Sequence, residues 1–473
     1  MLTLADVIEA LTGRRPQMAD RPIRAATVDS RQATPGSLFV ALPGEHADGH
    51  TYVGDAFHHG AFVAIVQRDL SSLFPTVDLR PGRQPEEFAF PEIAFCLLVE
   101  DSLKALQTVA RFWRRRLNLR VIGITGSVGK STTKELVAEV LAKRYRTLKN
   151  PGNLNNEIGL PLTLLSLGEH HERAVLEMGF YVPGEIRFLC DLALPHVGVV
   201  TNVGTVHAER AGSQEAIARG KAELVESLPP APEGTAILNF DDPWVRQMAQ
   251  RTQARVLFYG LSPQADIWAD GIESMGLEGI RFRLHYRHEA LYLRVPMIGR
   301  HSAHTALRAA AVGLVEGLSW HEIATGLREG RSQLRLMAVP THSGALILDD
   351  TYNASPESTL AALNLLNDLA GRRVAVLGDM LELGPYEEQG HQLVGVRAAE
   401  VVDELVAVGP RGRMIAEAAR QAGLQSSAIH WFETTQAAAE YLADSLSKGD
   451  IALVKGSRGM HMEDIVAALE SRS

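Results

Sequence analysis

The chain has 473 residues, which predicts about three domains at roughly 150 residues each, and its 46% hydrophobic and 22% charged residues are typical of a globular protein. The net charge of −9 argues against a general nucleic-acid-binding surface, and two distant cysteines, Cys96 and Cys190, exclude a cysteine zinc cluster and a disulfide framework. The same charge fits small polar partners better. Because no apolar run reaches the ~18 residues of a bilayer span, we expect a cytoplasmic protein.

The first hundred residues predict a small α/β domain. The stretch MLTLADVIEALTGRR is typical of an amphipathic helix, since acidic residues interrupt its apolar pattern. The segments SLFVAL and AFVAIV predict strands, and the Pro- and Arg-rich residues 70–92 predict an irregular insertion. Helical spacing over 101–117 follows. We therefore assign 1–99 to an N-terminal domain.

A candidate phosphate loop comes next, where residues 123–134 read GITGSVGKSTTK after the apolar run LRVI. This order predicts a strand, a turn and a helix N-terminus, where backbone N–H groups and the helix dipole form an anion site. Lys130 and Ser131 would add a cation and a magnesium ligand. The spacing departs from the standard pattern, because Ile124 stands where a glycine is expected and Gly123 is one residue early. The retained core GSVGKST favours nucleotide phosphate binding over a plain glycine turn.

Short apolar runs and helical stretches alternate along the rest of the chain. The runs AVLEMG (174–179), HVGVVTNVG (196–204) and TAILNF (235–240) predict parallel strands of a central domain, which we assign to 100–331. In 332–473, ALILDD, RVAVLGDM, ELVAVG and IALVKG repeat the pattern. Between them lie the alternating stretch IRFRLHYRHEALYLRV and the helical TALRAAAVGLVEGL. The predicted fold is α/β with a central parallel-sheet ATP-binding domain and a C-terminal Rossmann-like domain.

Several polar side chains follow predicted strands. Glu177 ends AVLEMG and His207 follows GVVTNVGTVH, so a parallel sheet could bring both to the edge that holds the phosphate loop, where they could bind a divalent metal. A lone histidine is more often structural, and Lys221, in IARGKAEL on a predicted helix, reads by itself as a solvated surface lysine. The asparagines of NPGNLNNEIGLPLTLL suit loop contacts or simple turns. Acidic residues in LDDTYNASPEST and VLGDMLELG suit ligand contacts or N-caps.

Taken in order, these segments resemble the Mur ligases. The matching fragments are DSRQATPGSLFVALPGEHADGH, TGSVGKSTTKE, NPGNLNNEIGLPLTLL, LEMG, TNVGTVHAERAGS, LNFDDP, DDTYNASPEST, GDMLELG and KGSR. The resemblance implies a cytoplasmic, ATP- and magnesium-dependent ligase, monomeric, with a UDP-sugar on the N-terminal domain, ATP on the central one and a dipeptide near the C-terminal one. It is strongest for the activity that joins D-alanyl-D-alanine to UDP-N-acetylmuramoyl-tripeptide through an acyl phosphate. The DNPR-like motif of the member that adds the third residue is not found.

The resemblance also assigns residues to the site. It implies a catalytic set of Lys130 on the β- and γ-phosphates, Glu177, His207, Lys221 and Arg335, the last directed at the γ-phosphate. The nucleotide site would comprise Gly126, Ser127, Gly129, Lys130, Ser131, Thr132, His301, Arg335 and Asp350. Two magnesium ions would be held by Ser131, Glu177, His207 and Lys221, the last as a carbamate. The substrate cleft would comprise Ser30, Arg31, Asn155, Asn156, Tyr352, Asn353 and Pro356.

The chain departs from the family where GRHSAHTALRAA replaces the usual GRHNxxNALAA. Two asparagines become Ser302 and Thr305, and a hydroxyl cannot offer the paired donor and acceptor of an amide. We expect adenine to be held more weakly, or by His301 alone.

Three other functions stay open from the sequence. One is another ligase of the superfamily, such as a folylpolyglutamate or cyanophycin synthetase, which the DSR segment and DDTYNASPEST oppose. The second is an ATP-binding switch that hydrolyses nucleotide without making a bond. The third is a catalytically silent homologue, which the retained site residues oppose. A coupled assay separates ligase from switch, because the ligase releases ADP only with both substrates present.

Overall fold

The structure of the chain, a computed structural model, describes residues 1–17, 19–44, 47–83, 89–205, 208–329 and 337–470. The chain divides into two compact units. The first comprises Met1–Gly123, Tyr145–Gly179 and Glu185–His196, and the second Ile124–Arg144, Phe180–Gly184 and Val197–Ser473.

Helices and strands alternate along the described residues. The helices are α1 (Leu4–Thr12), α2 (Val53–His58), α3 (Ser102–Arg116), α4 (Lys130–Leu141), α5 (Gly159–Leu165), α6 (Glu185–Ala193), α7 (Ala208–Ala211), α8 (Gln214–Glu226), α9 (Pro243–Gln247), α10 (Ser302–Val315), α11 (Trp320–Glu329), α12 (Pro356–Asn367), α13 (Glu387–Val401), α14 (Gly412–Gln421), α15 (Thr435–Ser445) and α16 (Glu463–Leu469). The strands are β1 (Ala26–Thr27), β2 (Ser37–Val40), β3 (Ala61–Val66), β4 (Thr76–Asp78), β5 (Phe95–Leu98), β6 (Arg120–Thr125), β7 (Thr147–Lys149), β8 (Arg173–Glu177), β9 (Val197–Val200), β10 (Thr235–Asn239), β11 (Arg255–Gly260), β12 (Ile267–Ser274), β13 (Ile280–Tyr286), β14 (Glu289–Val295), β15 (Met337–Pro340), β16 (Leu346–Asp349), β17 (Arg373–Gly378), β18 (Glu404–Val408), β19 (Ile429–Phe432) and β20 (Ile451–Lys455).

The first unit contains a five-stranded sheet in the order β1-β2-β3-β5-β4, in which every pair is parallel. Strands β2, β3 and β5 are mostly apolar and fully buried, so the sheet carries a core on its faces. Strand β4 lies within 70–92, so the prediction of an irregular insertion there is wrong for Thr76–Asp78. The reason is that β4 is a short, half-buried edge strand that has no apolar run of its own. It forms because its backbone pairs with that of β5. Cys96 and Cys190 are both buried, and no disulfide joins them.

The second unit contains strands β9 to β14 as consecutive neighbours. Strands β9 to β12 pair in parallel, whereas β12, β13 and β14 form an antiparallel meander that accounts for the alternating stretch in the sequence. Helix α10 packs on α4, the helix that follows the phosphate loop. The carboxyl ends of β9 and β10 and the start of α4 therefore belong to one body.

The same unit contains a six-stranded sheet in the order β15-β16-β20-β17-β18-β19, parallel except for β15 against β16. Alternate residues of its strands face two separate apolar clusters, one with α12, α13 and α14 and one with α15 and α16. A parallel sheet covered by helices on both faces is the predicted Rossmann-like arrangement. In the described part of the chain, the helices are too short or too polar to cross a bilayer.

Candidate active site

The predicted phosphate loop forms the expected connection between β6 and α4. Strand β6 ends at Thr125, and α4 begins at Lys130 after the N-cap residue Gly129, whose φ is +83°. Gly126 has a φ of +145°, and a Cβ there would overlap Oγ1 of Thr201. Both glycines are needed because an L side chain is strained at these angles and, at Gly126, has no room.

The residues that follow β9 hold this loop in place. The N–H groups of Ser127 and Val128 donate to the backbone and side-chain oxygens of Asn202, at 3.0 and 2.9 Å. Thr201 Oγ1 donates to Val128 O at 2.7 Å, and the N–H of Gly204 donates to Ser127 Oγ at 2.8 Å. Sequence reasoning did not assign Asn202 a role, although its place near the end of a predicted parallel strand was the available signal.

Lys130 lies folded over its own loop. Its Nζ donates to the carbonyl oxygens of Gly126 and Ser127 at 2.9 and 3.2 Å. Ser131 and Thr132 follow in the first turn of α4, where backbone N–H groups have no intrahelical acceptor and the helix dipole is positive. This end of α4 is therefore suited to an anion.

Lys221 is buried in α8, with none of its surface exposed, so its interpretation as a solvated surface lysine is wrong. The preceding residue explains the burial, because a Cβ at Gly220 would overlap the ring of Phe180, which packs there. Nζ of Lys221 lies 4.8 Å from that ring and has no hydrogen-bond partner among the described residues. Burial, and secondarily the charge of Lys130, lowers the pKa of Lys221 well below its usual value, which favours the neutral amine.

Glu177 is 2% exposed at the end of β8, in the first unit. Asn155 Nδ2 donates to its Oε1 at 2.9 Å. The fully buried Asn150 accepts from the N–H of Glu177 at 2.9 Å and donates to the carbonyls of Glu177 and Leu154 at 3.2 and 2.9 Å. The first unit thus orients this carboxylate through two asparagines, of which sequence reasoning assigned a role only to Asn155.

Other predicted substrate residues make local bonds. Asn156 Oδ1 accepts from the N–H of Gly159 at 2.9 Å, in the manner of the simple Asn turn. Arg31 forms a two-point pair with Asp29, at 2.9 and 2.7 Å, and most of its side chain is exposed. Ser30 is buried in the same short turn.

Lys455 brings several predicted residues together in the last sheet. Its buried Nζ donates to Asp350 Oδ2 at 2.6 Å and to the carbonyl of Asn353 at 2.9 Å. The guanidinium of Arg458 lies 5.3 Å from the ring centre of Tyr352. Both basic residues belong to the fragment KGSR, but the sequence assigned neither of them a role.

Two further positions of the matching fragments have structural roles here. Asp379, in GDMLELG, accepts from the N–H groups of Arg411 and Gly412 at 2.9 Å each, so it caps α14. Pro356 is the first residue of α12, and Ser355 is its N-cap.

The two hydroxyls that replace family asparagines are engaged by α10 and the segment just before it. Ser302 Oγ donates to Ile298 O at 2.7 Å, and Thr305 Oγ1 accepts from Arg308 Nη2 at 2.7 Å. The exposed His301 borders a groove of about 470 Å³ in the second unit. The groove is lined by Arg300, His301, Glu357, Leu360, Ala361, Asn364, Leu365, Asn367, Asp368 and Arg397.

His207 and Arg335 lie outside the described residues. Within the described residues, no group of three or more His, Cys, Asp or Glu side chains could hold a metal ion. Two of the predicted ligands, Ser131 and Lys221, are of other residue types. Their assignment as ligands, like that of Glu177, stays a prediction.

Family comparisons agree with this arrangement. The Mur ligase middle domain matches residues 124–313, the glutamate ligase domain of Mur ligases matches 334–458, and the catalytic domain of the Mur ligase family matches 22–80. A UDP-N-acetylmuramoyl-tripeptide–D-alanyl-D-alanine ligase of Bacillus subtilis (strain 168) is 37% identical over 473 residues, which cover 99% of this chain and 98% of the relative. The chain belongs to the Mur ligase family.

Solved structures of Mur ligases resemble the whole chain. MurF from Acinetobacter baumannii is 32% identical with a TM-score of 0.82, over 98% of this chain and 97% of that one. The MurF ligase of Thermotoga maritima, in complex with ADP, is 28% identical with a TM-score of 0.78, over 95% and 98%. The predicted three-domain α/β fold and the predicted ligase class are therefore confirmed. The domain boundaries near 100 and 332 stay predictions.

Proposed function

We propose that this chain is an ATP-dependent ligase that joins D-alanyl-D-alanine to UDP-N-acetylmuramoyl-tripeptide and so makes the muramoyl-pentapeptide for peptidoglycan. The observation that carries this proposal is similarity from end to end to a ligase with that name, 37% identical over 99% of the chain. The loop at 126–131, with its glycines and Lys130 at the start of α4, supports ATP as the co-substrate. Coverage of the whole chain favours this activity over the other superfamily ligases and over a switch.

The reaction has two steps. The terminal carboxylate of the tripeptide attacks the γ-phosphorus of ATP, which forms an acyl phosphate and releases ADP. The amine of D-alanyl-D-alanine then attacks the acyl carbon, and inorganic phosphate leaves with formation of the amide and loss of a proton from the amine. Two anions meet in the first step, so positive charge at the transferring phosphoryl group is the main requirement.

Lys130 would supply part of that charge. Its Nζ now bonds to two carbonyl oxygens of its own loop, and it would exchange them for phosphate oxygens. The first turn of α4 adds oriented N–H groups, which need no reorganisation when the phosphates bind. Arg335 would act on the γ-phosphate, and Asp350 and His301 would contact the nucleoside.

Lys221 fits the carbamate that the family resemblance assigns. Carbon dioxide reacts with a neutral amine, and the buried Nζ has a lowered pKa and no hydrogen-bond partner among the described residues. The carbamate would be an anion at a position where the unmodified lysine is an unfavourable buried cation. Magnesium would be held by Ser131, Glu177, His207 and carbamylated Lys221, and its charge would offset the repulsion between carboxylate and triphosphate.

The remaining assignments concern the other two substrates. Ser30 and Arg31 would hold the UDP group, with Arg31 sharing its guanidinium between Asp29 and the diphosphate. Tyr352, Asn353 and Pro356 would border the dipeptide, with Asn155 and Asn156 nearer the acceptor peptide. We also propose that the enzyme is a monomer in the cytoplasm.

A coupled assay tests this function. We expect ADP release only when UDP-muramoyl-tripeptide and D-alanyl-D-alanine are both present, and mass spectrometry should show the pentapeptide product. Lys130→Ala should abolish release, whereas Lys104→Ala, which changes an exposed lysine of α3, should leave it intact. ADP release without the two substrates, or full activity of Lys130→Ala, would contradict the proposal.

A further inference from the structure

Arg308 is a buried cation whose hydrogen-bond partners among the described residues are neutral. It is 4% exposed, in α10. Its Nη2 donates to Thr305 Oγ1 at 2.7 Å, and its Nη1 donates to the hydroxyl of Tyr259 at 3.3 Å. Its Nε is buried and has no hydrogen-bond partner in the described part of the chain. An arginine stays charged even when buried, and no carboxylate of the described residues pairs with this guanidinium.

Nearby carboxylates are engaged elsewhere. Asp241 pairs with His304 at 2.9 Å, and Asp242 accepts from the N–H groups of Val203 and Trp244 at 2.8 and 2.9 Å. Neither forms an ion pair with Arg308 among the described residues. A buried charge without a partner is strongly destabilising in proteins generally, so an anion from outside the chain is the expected partner.

Arg308 lies against the phosphate loop. A Cβ built on Gly129, the residue before α4, would be 3.2 Å from Nη2 of Arg308. Tyr259, which accepts from Arg308, donates in turn to the carbonyls of Val200 and Thr201, at 3.2 and 3.0 Å. Thr201 Oγ1 holds the loop at Val128 O. The guanidinium is thus positioned by the same residues that position the loop.

We propose that Arg308 binds the phosphate chain of the nucleotide on the loop at 126–131. The proposal rests on the proposed function, because it assumes a nucleoside di- or triphosphate at this loop. A guanidinium is well matched to phosphate oxygens in geometry and charge. The chain has this arginine where the family pattern GRHNxxNALAA has alanine. It lies three positions after Thr305, which replaces the second asparagine of the pattern.

The substitutions shift nucleotide recognition from the base toward the phosphates. The hydroxyls of Ser302 and Thr305 already have partners, Ile298 O just before α10 and Arg308 within it. Thr305 therefore positions the arginine that replaces the lost amide contact. Affinity lost at adenine is regained at the phosphate chain.

Calorimetric titration of the full-length protein with ADP and with inorganic tripolyphosphate tests the proposal. Arg308→Met should weaken both by about tenfold or more, because a charge-assisted bond is lost, and should weaken the dependence of ADP affinity on salt. Arg328→Met, which changes an exposed arginine of α11, is the matched control and should bind as the wild type does. The melting temperature of nucleotide-free Arg308→Met should equal or exceed that of the wild type, since an uncompensated buried charge is removed.

The outcomes separate this inference from the function on which it rests. If the wild type binds ADP and Arg308→Met binds it equally, the inference is wrong and the function stands. If the wild type binds neither ADP nor tripolyphosphate, both fail. Arg308→Met could also melt much lower than the wild type without nucleotide. In that case Arg308→Lys, which keeps the charge, is compared with Arg308→Gln. The inference stands only if Arg308→Lys folds normally and binds ADP more tightly than Arg308→Gln; otherwise the residue is structural and the inference is wrong.

Discussion

Burial determines the chemical state of Lys221. Its pKa is lowered from 10.5, first by burial and then by the charge of Lys130. Between this lowered value and 10.5, the unfolded chain binds a proton that the folded chain does not, so the free energy of unfolding rises with pH across that window. Burial of this amine therefore costs stability at neutral pH, and the cost shrinks as the pH approaches 10.5.

Lys221→Met should separate stability from catalysis. Methionine fills a similar volume without a charge, so we expect the variant to melt higher than the wild type by about 2 °C or more at pH 7, and by less at pH 9.5. Ligase activity should be lost, because the proposed carbamate could not form. Calorimetry in buffer free of carbon dioxide and nucleotide gives the first result, and the coupled assay gives the second. Equal melting shifts at both pH values would mean that Lys221 is charged in the folded state.

Asn150 is a second residue whose role depends on its buried surroundings. It satisfies an N–H group and two carbonyls around Glu177 and Leu154, with no exposed surface of its own. Asn150→Asp replaces the donor by an acceptor, so both carbonyls lose their partner. We expect a loss of about 2–4 kcal/mol in unfolding free energy, measured by denaturant titration.

The exposed Asn153 provides the control for this experiment. Asn153→Asp makes the same chemical change in the same segment, and it should alter the unfolding free energy by less than about 0.5 kcal/mol. We also expect lower ligase activity from Asn150→Asp, because the backbone of Glu177 would no longer be held in place and its carboxylate would be less well oriented. Equal stability of the two variants would show that the buried hydrogen bonds of Asn150 do not stabilise the fold.

At the scale of elements, the connection from β6 to α4 depends on the strand next to it. Gly126 approaches Thr201 so closely that no side chain fits, and Thr201 in turn holds Val128. The loop is therefore shaped by the residue that follows β9 and not by its own glycines alone. Close approach and a positive φ act together at Gly126.

Gly126→Ala should destroy the nucleotide site. The added methyl group would displace Thr201, so we expect a cost of about 1–3 kcal/mol in stability and the loss of measurable ADP binding by calorimetry. Gly13→Ala is the control, because Gly13 also has a positive φ, +73°, but has open space around its Cβ position. That variant should lose about 1–2 kcal/mol and bind ADP normally. Normal ADP binding by Gly126→Ala would refute the close-packing argument.

At the scale of the whole molecule, the second unit joins the loop after β9 to the last sheet. The N–H of Thr205 donates to Glu357 Oε1, in the first turn of α12, at 3.1 Å, and Gly204 packs against the same carboxylate. Farther along, the N–H of Glu209 donates to the carbonyl of Glu382 at 3.4 Å. These contacts link residues that follow β9 to the start of α12 and to the loop before α13.

Glu357→Ala should loosen this link without unfolding the protein. Because the carboxylate is exposed, we expect a change in melting temperature no larger than that of Glu388→Ala, an exposed change on α13. The amide of Thr205 should exchange with deuterium faster, and the ligase rate should fall, since substrates on different domains have to be aligned. Unchanged exchange at Thr205 would show that the contact does not restrain the loop.

Local elements followed closely from the sequence. The order of strand, turn and helix at 120–141, the helix at α3 and the alternating strands of the last region were all predicted, because apolar periodicity and turn residues act within a few positions. Strand β4 was missed, because a short edge strand is defined by its neighbour. Family membership was also evident from the ordered motifs, and it is confirmed.

The state of each site residue needed the tertiary structure. Lys221 and Arg308 are both basic residues on helices, and nothing in their local sequence says that one is buried against Phe180 and the other against the phosphate loop. Asn202 and Lys455 gained their roles from partners far away in the chain. Sequence by itself determined the elements and the chemistry available. Only the fold decided solvation and partners, because these come from residues that are distant in sequence and meet through packing.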